Sequence, residues 1–271
     1  MARMHVMAGI GDKFDKPAIR TITVSDLGDV LRQGMADFWA RPSHYIVLML
    51  IYPIIGIVLA VWMNGWHSWT LLYPLVGGFA LVGPVAALPL YEISRRREMG
   101  ENPGWREAMS VIRSPAIGSI MAVAALLFIF FTLWLTSAQA LYESLFGASP
   151  PRTLTGLLDQ VLTQPGGRTL LAVGTGLGAL FALAVLCTSV IAFPLLLDRD
   201  VGAYVAVETS MRAVLYNRVP LFVWGVIVGA GLFLASIPLF VGLALVLPIF
   251  GHATWHLYRK LVEPVSMIRG Q

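Results

Sequence analysis

His252 and His256 stand four residues apart, so one helix face presents both rings, with Leu245, Pro248 and Arg259 continuing the stripe. Two imidazoles at that spacing can chelate a metal ion. They fall at the inner end of the last apolar run, at the same expected depth as His44, Glu92 and Asp198. A ring of His44, Glu92, Asp198, His252 and His256 could hold zinc, iron or a proton. A plainer role competes with that one. The same groups can sit among lipid headgroups and cap helix ends, with Glu92 pairing with Arg96 four residues on. Ionisable groups near hydrocarbon are costly, which is why both roles are weighed.

Other chemistry is absent from the pattern. There is no serine–histidine–carboxylate arrangement and no pair of carboxylates deep in an apolar run. Gly174-Thr175-Gly176-Leu177-Gly178 lacks the Lys-Ser/Thr that a phosphate loop needs, and with Gly225 and Gly229 it reads as a close-packing face. Cys187 is alone, so neither an intrachain disulfide nor a cysteine metal knuckle can form. The expectation is a protein that is not an enzyme and needs no cofactor, with bound metal or haem as the alternative.

The elements that would carry these residues follow from composition. Of 271 residues 57% are hydrophobic and only 13% charged, about half the charge of a soluble domain. That excludes a soluble globular enzyme, a disordered tail and a disulfide scaffold. Runs of about twenty apolar residues start near Tyr45, Thr70, Ala116 and Thr169. A fifth runs from Leu221 to His256, too long for one crossing, and Ser236-Ile237-Pro238 offers a break into two short helices. The net charge is +4, but the basic residues flank apolar runs and form no nucleic-acid patch. With six crossings, all Lys and Arg except Arg152 and Arg168 fall on one side, the side expected to be cytoplasmic. Met1 to Lys16 holds no continuous apolar stretch and does not read as a cleavable signal.

The fold expected is therefore all-α: six transmembrane helices in a bacterial inner membrane, with both termini cytoplasmic. A quasi-threefold repeat of amphipathic helix plus transmembrane hairpin organises them. The helices carry Leu27, Val30, Leu31, Phe38 and Trp39, then Trp105, Ala108, Met109 and Ile112, then Val207, Met211, Val214 and Leu215. Each stops at a proline, Pro42, Pro115 or Pro220, where an outward span begins. The boundaries are a flexible N-terminus over 1–24, a transmembrane domain over 25–260 with repeats at about 25–98, 104–200 and 203–260, and a tail over 261–271. The connection from Gln139 to Arg168 holds a surface stripe of Leu154, Leu157, Leu158, Val161 and Leu162, closed by Pro165-Gly166-Gly167. Deep in the spans only Thr and Ser are polar, such as Thr132, Thr188 and Ser189, bonding their own backbone. Tyr45, Trp62, Trp66, Trp69, Trp134, Trp224, Trp255 and Tyr258 read as interfacial anchors.

Four stretches carry a resemblance. They are Thr21 to Leu27 with Gly34 and Asp37-Phe38, Gly83-Pro84 through Leu90-Tyr91-Glu92-Ile93-Ser94-Arg95-Arg96, Phe193-Pro194 to Arg199, and Gly251-His252 through His256 to Arg259. Together they resemble a family of bacterial integral membrane proteins of unknown function, some of whose members carry a cytochrome c oxidase subunit label. The resemblance implies a six-helix inner-membrane domain and no assigned activity. A haem–copper catalytic subunit needs more buried histidine ligands than the five histidines of this chain provide. The function expected is a non-catalytic accessory, assembly or scaffold subunit of a membrane complex, with a respiratory complex as first candidate. Its partners would be the bilayer and other inner-membrane subunits, and not nucleic acid. The alternatives are a passive transporter of lipid-like or apolar solutes and a metal- or haem-binding membrane protein.

Overall fold

The computed structural model describes residues 17–40, 54, 58, 61, 69–71, 74–75, 83–238 and 240–264. Most of the expected first and second spans, with His44, Tyr45, Trp62 and Trp66, lies outside the described residues. Described helices are α1 (Val24–Ala40), α2 (Leu88–Glu98), α3 (Trp105–Ala108, continued by a 3₁₀ turn over Met109–Arg113) and α4 (Ile117–Phe146). Then come α5 (Leu154–Thr163), α6 (Pro165–Ser189), α7 (Ala192–Asp198), α8 (Ala203–Tyr216), α9 (Arg218–Ser236) and α10 (Leu243–Leu261).

Among the described residues three segments are long and apolar enough to cross a membrane: α4, α6 running on into α7, and α9. At 30 residues α4 measures about 45 Å, longer than a bilayer core of about 30 Å. Its last eight residues, Gln139 to Phe146, belong to the expected outer connection. The short α5 follows, capped by the Thr153 side chain, which accepts from the Gly156 amide at 3.1 Å. Its stripe splits: Leu154, Leu157 and Val161 are half-buried, while Leu158 and Leu162 face out. Pro165 both closes α5 and opens α6 as its first residue, because a missing N–H costs nothing in a helix's first turn. Between α6 and α7 the helix breaks at Val190 and Ile191. Pro194 has no N–H to give and would press on the carbonyl of Val190 four residues earlier. Ser210 of α8 accepts the freed Ile191 amide at 3.5 Å.

The long final run does divide. α9 ends at Ser236 and α10 begins at Leu243. In the turn Phe240 takes a φ of 64°, and Gly242 leaves no room for a side chain: a Cβ there would lie 2.7 Å from the Ala235 carbonyl oxygen.

The three amphipathic helices form as expected, but two of them turn unexpected faces inward. α1 buries Leu27, Val30, Gly34, Asp37 and Phe38, and leaves Trp39 exposed. α3 and its 3₁₀ turn bury Ala108 and Val111 while Met109 and Ile112 point out. α8 packs on α6 and α7 through Ala206, Thr209, Ser210 and Ala213, and turns Met211 and Leu215 outward. Small residues permit close helix approach, so they win the inner face.

Both ends of the described chain meet at one end of the helices. Ile19 bridges Val262, the Arg20 amide donates to the Leu261 carbonyl at 2.8 Å, and Glu263 donates to Ala18 at 3.2 Å. Asn217, buried between α8 and α9, donates to the Arg20 carbonyl at 3.0 Å and accepts from the Ile22 amide at 2.8 Å. Residues 17–23, expected to belong to a flexible leader, are held on both sides.

Candidate functional site: a polar network around Asp37

Asp37 reaches the interior because it lies on the same stripe as Leu27, Val30, Gly34 and Phe38. That stripe packs against α10. Gly34 makes the approach possible, since a Cβ there would stand 2.6 Å from the Ala253 backbone nitrogen. The carboxylate then meets α2 and α10 together. Its Oδ2 accepts from the Ser94 hydroxyl at 2.6 Å and faces His256 Nε2 at 2.9 Å, while Oδ1 pairs with Arg97 Nε at 3.1 Å. Ser94 Oγ lies 2.8 Å from Nδ1 of His252, a residue with no exposed surface. Ser94 thus bridges the Asp37 carboxylate and the His252 ring. Burial opposes ionisation of Asp37, yet the hydrogen bonds from His256 and Ser94 and the charge of the histidines outweigh it, and its carboxyl stays below the ordinary range.

Further groups complete this polar end. Glu92 is clamped by Arg95, at 2.7 and 2.9 Å, and by Arg96 at 2.6 Å. Burial again opposes its charge, and the two arginines keep its carboxyl below the usual value. Glu98 accepts from Trp255 Nε1 at 3.0 Å and from Arg259 Nε at 2.9 Å. Asp198 accepts from the Tyr258 hydroxyl at 2.5 Å and lies 3.7 Å from Arg259. Lys260 reaches Asp26 at 2.6 Å and Asp29 at 3.3 Å. The Lys260 hydrogen bond, with two from Thr23, holds Asp26 far below a normal carboxylate.

Of the five residues singled out in the sequence, the structure gathers His252 and His256 around Asp37. Glu92 and Asp198 are engaged by arginines and a tyrosine, and His44 is outside the described residues. The expected Glu92–Arg96 pair is present, with Arg95 added. Among the described residues no group of three or more His, Cys, Asp or Glu is placed to hold a metal ion. An ion bound by His252 Nδ1 and His256 Nε2 would have to displace the hydrogen bonds to Ser94 and Asp37. Ser94, His252 and Asp37 share the residue types of a hydrolytic triad but not its connectivity. The carboxylate bonds the serine rather than the histidine, and Ser94 is fully buried, so no substrate carbonyl can reach it.

Sequence reasoning missed Asp37, Ser94 and Arg97 as site residues. The signal was a carboxylate on the apolar stripe of α1, a position that demands partners once buried. Four aromatic residues expected as interfacial anchors are instead buried. Trp134 is buried, donates from Nε1 to the Pro74 carbonyl at 2.8 Å and packs on Phe181. Trp224, Trp255 and Tyr258 are buried as well, because neighbouring helices offer them both apolar contact and, for Trp255 and Tyr258, a carboxylate. Thr132, Thr188 and Ser189 do bond their own helix backbone, to Phe128, Ala184 and Val185.

Residues 72–198 match the model of a family described as "Predicted integral membrane protein (DUF2189)", whose function is unknown. No curated protein and no solved structure is detectably similar to the chain. The match agrees with the resemblance drawn from the sequence and indicates no catalytic family.

Proposed function

We infer that the chain is an integral membrane protein similar to a family without assigned activity. We propose that it is a non-catalytic scaffold, an accessory or assembly subunit that packs against another inner-membrane complex, a respiratory one being the first candidate. One observation carries this reading. The polar side chains of α1, α2, α7 and α10 bond one another, which fastens these helices together, while α4, α6 and α9 turn large apolar residues such as Phe128, Leu180 and Phe233 outward. A surface of that kind suits lipid or another helix and offers no reacting group.

Six crossings with both ends in the cytoplasm accompany the proposal. The pairing of Ile19 with Val262 supports an even number, since it sets both ends of the described chain at one end of the bundle. The cation asymmetry along the sequence supports the cytoplasmic assignment. The three amphipathic helices support the repeat.

The test is native mass measurement after gentle extraction from a bacterial inner membrane. The reading expects a defined complex with a second, stoichiometric membrane protein. A lone chain enclosing a continuous hydrated cavity would overturn it in favour of a passive pathway for lipid-like solutes.

A further inference from the structure

The outward faces of α3 and α8 combine two properties that rarely coexist on a water-facing helix. They are apolar: Ile112 is 62%, Met211 44% and Leu215 58% exposed. They also adjoin exposed arginines. Arg113 closes the 3₁₀ turn, and Arg218 opens α9. Each stands within two residues of the proline that precedes or begins a long apolar helix, Pro115 ahead of α4 and Pro220 in α9. Both arginines therefore lie within a turn of the level where hydrocarbon begins on α4 and α9.

Neither arginine has a carboxylate partner among the described residues. Arg218 donates its Nε to the Leu215 carbonyl at 3.1 Å, which fixes the stem and leaves both terminal nitrogens of the fork free. The acidic groups of the same elements are differently placed. Glu107 accepts the Gly104 amide at 2.8 Å, and Glu208 sits one turn before Arg212 on α8. The apolar surface is continuous along the chain from Leu215 through Val219 to Phe222 and Val226 of α9, all exposed. A water-soluble partner would meet that surface only in part; a lipid leaflet meets all of it, with acyl chains on α9 and headgroups at the arginines.

From these two neighbourhoods we propose that Arg113, beside Ile112, and Arg218, beside Leu215 and Val219, each bind the phosphate of an anionic phospholipid. The inference goes beyond the scaffold reading and does not depend on it. A planar guanidinium takes phosphate oxygens two at a time, and a second negative charge on the headgroup strengthens the attraction.

Full-length protein in mild detergent is titrated with phosphatidylglycerol or phosphatidylcholine, and retained lipid is counted by native mass spectrometry. The proposal expects a preference for phosphatidylglycerol of about fivefold per arginine. The preference should vanish in the Arg113→Gln/Arg218→Gln double variant and persist in Arg113→Lys/Arg218→Lys. Equal retention of the two lipids by the wild type, or an unchanged preference in the glutamine variant, overturns the proposal. Should the glutamine variant aggregate, the wild type decides it alone. Preference that collapses as salt rises from about 50 to about 500 mM supports a charge-directed site, and salt-independent retention overturns it. If the wild type in complex with a second membrane protein shows no preference while the isolated chain does, protein rather than lipid covers the arginines, and the proposal fails.

Discussion

α9 and α10 are both 19 residues long, adjacent in the chain and joined by one turn, yet they live in different surroundings. α9 buries Leu221, Trp224 and Ala235 and exposes Phe222, Val226, Phe233 and Leu234. α10 buries ten residues, from Leu243 to Leu261, with His252, Trp255 and Tyr258 among them. The lesson concerns what an apolar residue signifies in a chain such as this. On α9 it marks contact with the surroundings of the molecule; on α10 it marks contact with α1 and α2, which also bring the polar partners that make buried histidine tolerable. One helix is defined by its solvent and the other by its neighbours.

The strongest way to break that contrast is to strip α10 of its polar partner. Asp37→Ala leaves His256, Ser94 and Arg97 without their shared acceptor, and breaking a buried charged cluster of this kind costs about 4 kcal/mol. Thermal unfolding in detergent should show the largest loss of any substitution proposed here. Next comes Gly34→Val. The new side chain would strike the Ala253 backbone and lever α1 away from α10, at a cost of about 3 kcal/mol by the same assay.

Acid should act on the same end of the molecule. Asp37, Glu92 and Asp26 all have carboxyls held below their unfolded values of 3.8 to 4.5. A depressed carboxyl stabilises the fold above its unfolded value, and that contribution is lost as pH falls towards the folded one. The carboxylate contribution to the melting midpoint should therefore be lost below about pH 4, and the loss there should be less steep in Asp37→Ala than in the wild type. The smallest effect belongs to α9. Phe233→Ala should change stability by about 0.5 kcal/mol or less, because its ring is already outside the packed interior. A drop comparable with that of Asp37→Ala would place Phe233 inside and dissolve the contrast.

Much of this architecture was readable from the chain. The break after Ser236 and the backbone-bonded threonines follow from rules that act over a few residues. Which face of α8 turns inward did not, because hydrophobicity ranks Met211 and Leu215 above Ala206 and Ala213, whereas close approach between helices ranks them the other way. The site was half legible. His252 and His256 announce themselves by spacing alone, but Asp37 and Ser94 become their partners only when α1 and α2 fold across more than 150 residues of sequence. Spacing within one helix carries no record of that. The buried Trp134 and Trp255 teach the same point: an indole near a span end suits an interface and an interior equally well.

The account rests on Asp37 acting as a structural fastener between α1 and α10 rather than as a bystander to a metal or catalytic centre. A double-mutant cycle on Asp37→Asn and His256→Gln, read by unfolding free energy in metal-free detergent solution, addresses this directly. A fastener predicts that the two losses couple by about 1 kcal/mol or more, since either change alone already breaks the 2.9 Å contact. Losses that simply add, with each variant folding as well as the wild type once metal is restored, would contradict it.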